Sequence, residues 1–279
     1  MSEIQSPIWA KSSEKGGGDP INLSEHIKDV LEAFDAIKDK VKDAHLQGLI
    51  ELAIICHDWG KVLPAFQMRT LKNRGYKPPY PYYNIPHSFF SVLWIDQEKL
   101  REEISKLTRD DVNDYTRFII SAVAYHHWRE NFVELLSPHN QELGKLCEEL
   151  ENKRYIERLK ENLQKEIERL KRLNGDWHTL IGFNTEMAEG LRNGVSFSEY
   201  ARPPYQLYWL PKRIEIEDRK LREWILVSGF LMRSDHFASF CEEEGERYTP
   251  EHQNVIPAVV EENVKAEIKA KIDETNQGQ

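Results

Sequence analysis

The chain of 279 residues is long enough to bury one large core or two small ones. Its formal charge of −9, with an isoelectric point near 5.7, excludes a surface that is basic all over but leaves room for a local basic groove. Cys56, Cys147 and Cys241 stand far apart, which argues against a zinc ribbon or disulfide scaffold; with no apolar leader and no apolar run of bilayer length, a soluble, cytoplasmic protein is expected.

Helical periodicity dominates. Leu23–Ala44 is predicted as a helix capped by Ser24, with Ile27, Val30, Leu31 and Phe34 at helical spacing. Leu46–His57 is a second, more apolar helix stopped by Gly60. Residues 71–86 hold four prolines and four tyrosines and read as a loop. Helices over His87–Leu107 and Asp114–His127 follow, then a long charged one over Glu148–Leu173 with Ile156, Leu159, Leu163, Ile167 and Leu170 on one stripe. Asn174–Pro211 reads as irregular or short elements, Glu217–Glu244 as a helix, and the polar stretch from Val260 as a tail. Strand alternation is scarce. The expected fold is all-α, one domain over 1–250 with 140–210 set apart as an insertion, followed by a tail or linker over 251–279.

The strongest local signal is His57-Asp58-Trp59-Gly60-Lys61 at the end of the apolar helix. Imidazole and carboxylate suit borderline divalent metals, and a carboxylate can bridge two ions through its two oxygens. Lys61, four residues after His57, is within reach of the same cavity. Taken alone, the dipeptide also fits a helix C-terminus with a histidine near the dipole and an aspartate opening a turn. His126 and His127 end a second apolar helix, where paired imidazoles are costly to bury unless something binds them. His26 lies on the apolar side of its helix, His87 opens a helix after the Pro-rich loop, and Asp235 sits late in an apolar helix. Each of these three also fits a structural role. His45, His139, His178, His236 and His252 are read as structural or surface residues.

The order His, His-Asp, His, His-His, Asp resembles the HD superfamily of metal phosphohydrolases. The stretches IWAKS, LSEHIKDV, CHDWGKVLPAFQ, IPHSFFS, AYHHW and GFLMRSDHFAS narrow the resemblance to the HD nuclease domain of the CRISPR type I helicase-nuclease, or its stand-alone form. It covers residues 8–128 and 220–240; 140–210 carries none of it.

The resemblance implies an HD helical bundle with a dinuclear metal site. His26, His57, Asp58 and Asp235 would hold one ion, and Asp58 would bridge to a second held by His87, His126 and His127. Asp58 and Lys61 would be catalytic, with Lys61 facing the scissile phosphate. A histidine-rich shell favours Mn, Fe, Co, Ni or Zn, with Mg less well suited.

The implied activity is metal-dependent endo- or exonucleolytic cleavage of single-stranded DNA in antiviral defence, with a CRISPR helicase subunit or domain and a guide-RNA surveillance complex as partners and no membrane. Arg69, Lys72, Arg74, Tyr76 and Lys77 mix cations with an aromatic ring, as single-strand tracks do, though a solvated loop has the same composition. Competing readings are an HD phosphohydrolase of nucleotides or cyclic nucleotides, the HD domain of type III effectors, and a non-catalytic scaffold. The chain has no GxxxxGK[ST] motor motif.

Overall fold

A helix that is apolar on every side belongs at the centre of a bundle, and α2 (Ala44–Cys56) is placed there, with Leu49, Ile50, Ala53, Ile54, Ile55 and Cys56 fully buried. The computed structural model describes residues 7–12, 19–73, 76, 86–127, 136, 141–170, 175–202 and 217–243. Around α2 pack α1 (Leu23–Asp35), α6 (Val112–Tyr125) and α10 (Asp218–Glu243), while α4 (His87–Leu93) lies against α6 and the 3₁₀ turn Trp59–Val62. α3 (Pro64–Arg69) and α5 (Gln97–Leu107) extend the bundle. A small antiparallel pair, β1 (Trp9–Lys11) with β2 (Ile21–Asn22), leads into α1. The all-α expectation holds, and no described helix is long and apolar enough to cross a membrane.

Helix boundaries depart from the sequence reading at identifiable places. The first helix is capped at Asn22, whose N–H donates to the Glu25 carboxylate at 3.1 Å. Ser24 is inside the helix and donates its hydroxyl to buried Glu166 at 2.6 Å. Leu23–Ala44 is not one helix, because α1 ends at Asp35 and a 3₁₀ turn over Lys38–Lys40 precedes α2. His87–Leu107 is likewise two helices. Asp96 caps α5 by accepting from the N–H groups of Glu98 and Lys99, and Ile95 bridges to Ile181.

Within 140–210 lie α7 (Gln141–Glu149), α8 (Lys153–Ile167) and α9 (Thr185–Arg192), with short 3₁₀ turns at Trp177–Leu180 and Phe197–Glu199. The long charged helix predicted there is divided at Asn152, which caps α8. Its stripe of Ile156, Leu159, Leu163 and Ile167 is buried in this chain's own core. Glu166 on the same helix accepts from both the backbone N–H and the hydroxyl of Ser24, seating a carboxylate at the N-terminus of α1 where the helix dipole favours it.

Candidate metal centre

Two helix ends build the core of the site with the same local device. At the end of α2, His57 Nδ1 lies 2.6 Å from the Ile54 carbonyl; at the end of α6, His126 Nδ1 lies 2.7 Å from the Val123 carbonyl. A ring nitrogen that donates to a carbonyl leaves the other nitrogen as a lone-pair donor, which is how metal-binding histidines are oriented. Both Nε2 atoms point into one buried space.

Asp58 follows His57 directly and opens the 3₁₀ turn Trp59–Val62. The first turn of α4 lies directly on this turn. Gly60 N–H donates to Ser91 Oγ at 2.9 Å, and a Cβ at Gly60 would fall 1.9 Å from the His87 carbonyl oxygen. The close approach brings His87 Nε2 to 2.8 Å from Asp58 Oδ1. α1 contributes His26 and α10 contributes Asp235, both buried.

The carboxylate oxygens divide between two groups of histidines. Asp58 Oδ2 lies 3.3 Å from His26 Nε2 and 3.4 Å from His57 Nε2, whereas Oδ1 faces His87 and, at 3.7 Å, His126. Asp235 Oδ1 lies 3.3 Å from His26 Nε2 and 3.8 Å from His57 Nε2, and its Oδ2 lies 3.6 Å from His127 Nε2. Asp58, His87, His126 and His127 thus form one set able to hold an ion, and His26, His57 and Asp235 another. All seven side chains expected as ligands are brought together. The Oδ2 contact gives Asp235 a second reach, toward the His127 side, that the sequence did not indicate.

The donor set fits divalent metal. His26, His57, His87 and His126 each bury an Nε2 without a hydrogen bond, as do both oxygens of Asp58 and Oδ2 of Asp235. So many unpaired polar atoms converging in one space would be costly unless a cation bound them.

Electrostatics are correspondingly tense. Burial alone would raise the Asp58 carboxyl, but the neighbouring His57 and Lys61, followed by His87 and His126, hold it well below the usual range. Asp235 is held down in the same way, chiefly by His26 and His57 against burial. Burial pushes His87 down to about 4, and it also lowers His127, favouring the neutral ligand form in both. Lys61 Nζ pairs with Asp58 Oδ2.

Among the described ligands the access side is marked by exposure: the side chain of His127 is 24 % exposed and that of His87 10 %, against 0 % for His26 and His57.

Two residues near the site were not singled out in the sequence. His236 was read as a surface residue, and it is exposed, but its ring stacks beside His127 with centroids 6.0 Å apart. Glu242 is buried and holds His26 Nδ1. Its signal was its position seven residues after Asp235, on the same face of α10, hidden in a run of glutamates that reads as solvated.

The proposed nucleic-acid residues fare differently. Tyr76 is fully buried and its hydroxyl accepts from Asn162 Nδ2, so its ring is not a stacking surface. An aromatic residue in a polar loop found its partner in α8, which the sequence could not place beside it. Lys72 is exposed, with a left-handed φ of 55°. The Arg69 side chain, Arg74 and Lys77 lie outside the described residues.

An all-α bundle whose helix ends converge five histidines and two aspartates on one buried point is an HD-type metal-binding domain. The chain belongs to the Cas3 HD-domain family: the family model described as "Cas3, HD domain" matches residues 9–241 and runs through 140–210. It is thereby a CRISPR-associated HD nuclease domain, a metal-dependent phosphodiester hydrolase. No curated protein and no solved structure matches the chain significantly.

Proposed function

We propose that this chain is a cytoplasmic nuclease that cuts single-stranded DNA during CRISPR type I interference, using two divalent metal ions and relying on a helicase and a guide-RNA surveillance complex to present the strand. The observation that carries the dinuclear reading is the division of Asp58, with Oδ2 toward His26 and His57 and Oδ1 toward His87 and His126.

His26, His57, Asp58 and Asp235 would hold one ion, and Asp58, His87, His126 and His127 the other. Divalent ions so held supply Lewis-acid polarisation of a phosphoryl group and lower the pKa of a nucleophilic water. The protein's own contribution is orientation. Backbone carbonyls fix the rings of His57 and His126, and the apolar walls of α2 and α6 keep bulk water out. The imidazole-rich donor set favours Mn, Fe, Co, Ni or Zn over Mg.

Lys61 shares an Asp58 oxygen and lies at the edge of the same cavity, so its ammonium is placed to neutralise charge that grows on a phosphate there. Lys61→Ala is expected to slow cleavage by on the order of 10²-fold while the protein keeps its ions, because a protonated lysine is no ligand. Elemental analysis beside single-turnover rates checks this; loss of both ions in the variant would contradict the role.

The functional reading is tested with purified protein and Mn²⁺, without ATP, on circular and linear single-stranded DNA, blunt duplex and bubble substrates, with nucleotide hydrolysis as the control. Cleavage of single strands and of the bubble, with blunt duplex largely spared, is expected, since the chain shows no motor motif to open a duplex. Rapid degradation of blunt duplex would refute the division of labour, and turnover of nucleotides in place of DNA would assign a nucleotide phosphohydrolase.

A further inference from the structure

Behind His26 lies a chain of charges that the proposed ligand set does not include. His26 Nδ1 lies 2.8 Å from Glu242 Oε1 and 3.1 Å from Oε2, and neither side chain has any exposure. The other nitrogen of the same ring, Nε2, faces Asp58 and Asp235. Behind Glu242, the Lys11 ammonium approaches its Oε2 at 3.7 Å and the Ser239 carbonyl at 3.4 Å. Lys11 belongs to β1, so that strand is tied by charge to the last turns of α10.

His26 differs from His57 and His126 in this respect. Those two rings sit at helix ends, where the third carbonyl back is within reach of Nδ1. His26 is in the first turns of α1, and its Nδ1 is directed to the carboxylate of another helix. A carboxylate is a stronger acceptor than a carbonyl. It fixes the Nδ1–H tautomer and raises the basicity of Nε2, so the ring it holds binds metal more tightly.

We infer that Glu242, backed by Lys11, is a positioning residue that orients His26 and strengthens it as a metal ligand. The inference rests on the proposed assignment of His26 to the ion shared with His57, Asp58 and Asp235. Glu242 is too far behind the ring to be a ligand itself, since His26 stands between it and the aspartates.

The test is titration of the metal-free protein with Co²⁺, followed by its visible absorption and by calorimetry. Glu242→Gln keeps the shape and an acceptor but removes the charge; Glu242→Leu removes both. About tenfold weaker binding of one of the two ions is expected for the glutamine variant and up to about 100-fold for the leucine variant, with the other ion unchanged. Helical circular dichroism verifies folding, and the glutamine variant, nearest in shape, suffices if the leucine variant does not fold. Wild-type affinity for both ions in Glu242→Gln overturns the inference. Because the readout is ion affinity, a wild-type protein that binds two ions but cuts no DNA would sink the nuclease reading and leave this one intact.

Discussion

Asp58→Ala is expected to lower DNA cleavage by roughly 10³-fold or more, the rate equivalent of losing several kcal/mol of charge stabilisation at about 1.4 kcal/mol per tenfold. The effect should exceed that of any single histidine, because Asp58 faces His26 and His57 with one oxygen and His87 and His126 with the other. Elemental analysis of manganese-loaded protein should show two ions per wild-type chain and fewer in the variant. The fold should survive. The helices that meet near Asp58 carry their own apolar core, with Ile50, Ile54 and Val123 fully buried. Helical circular dichroism separates the two roles: near-normal cleavage with a normal fold would sink the two-ion mechanism, and global unfolding would make Asp58 chiefly structural.

How much of this site could be read in advance follows from how local each piece is. The His57-Asp58 and His126-His127 pairs stood out because each ends an apolar helix, although each alone also fits a structural role. His26, His87 and Asp235 were singly ambiguous, and the order in which they occur along the chain, through its resemblance to HD phosphohydrolases, made them a set. That α2 is more apolar than the helix before it was readable from its composition.

What was not legible depends on distance in sequence. Tyr76 was grouped with loop cations, yet its hydroxyl meets Asn162 on a helix 86 positions away. Glu242 sits in a glutamate run whose exposure can be judged only when α1 is laid against α10. The helix breaks near Ile37 and Trp94 were missed for a related reason. Periodicity continues across them, and the second break is stabilised by pairing of Ile95 with Ile181 and by the bond from Asp96 N–H to the Leu180 carbonyl at 2.8 Å. Asp96 itself was a usable signal, since a capping aspartate inside an apparent helix marks a new start.

Gly60→Ala carries the second large expected effect, and it separates packing from ligation because the residue holds no metal donor. The added Cβ would lie 1.9 Å from the His87 carbonyl oxygen and 2.6 Å from Ser91 N. Both are backbone atoms of α4's first turns, so no side chain can swing aside to relieve the clash. Either the Trp59–Val62 turn opens or the start of α4 moves away from it, at a cost of about 1–3 kcal/mol for overpacking.

His87 is the first residue of α4 and moves with it. A displacement of about 1 Å in a catalytic constellation is enough for a loss on the order of 10²-fold. The expected outcome is therefore a cleavage rate lower by that factor, selective weakening of the ion assigned to His87, His126 and His127, and a melting temperature several degrees lower. Gly229→Ala is the control. Gly229 lies inside α10 with nothing within 4 Å of a built Cβ, so the added methyl should stabilise the helix by about 0.5–1 kcal/mol. Thermal melts and Co²⁺ titrations of the two variants side by side check the argument. If Gly60→Ala melts, binds and cuts like the wild type, then the contact between the His-Asp turn and α4 is not what sets His87 against Asp58.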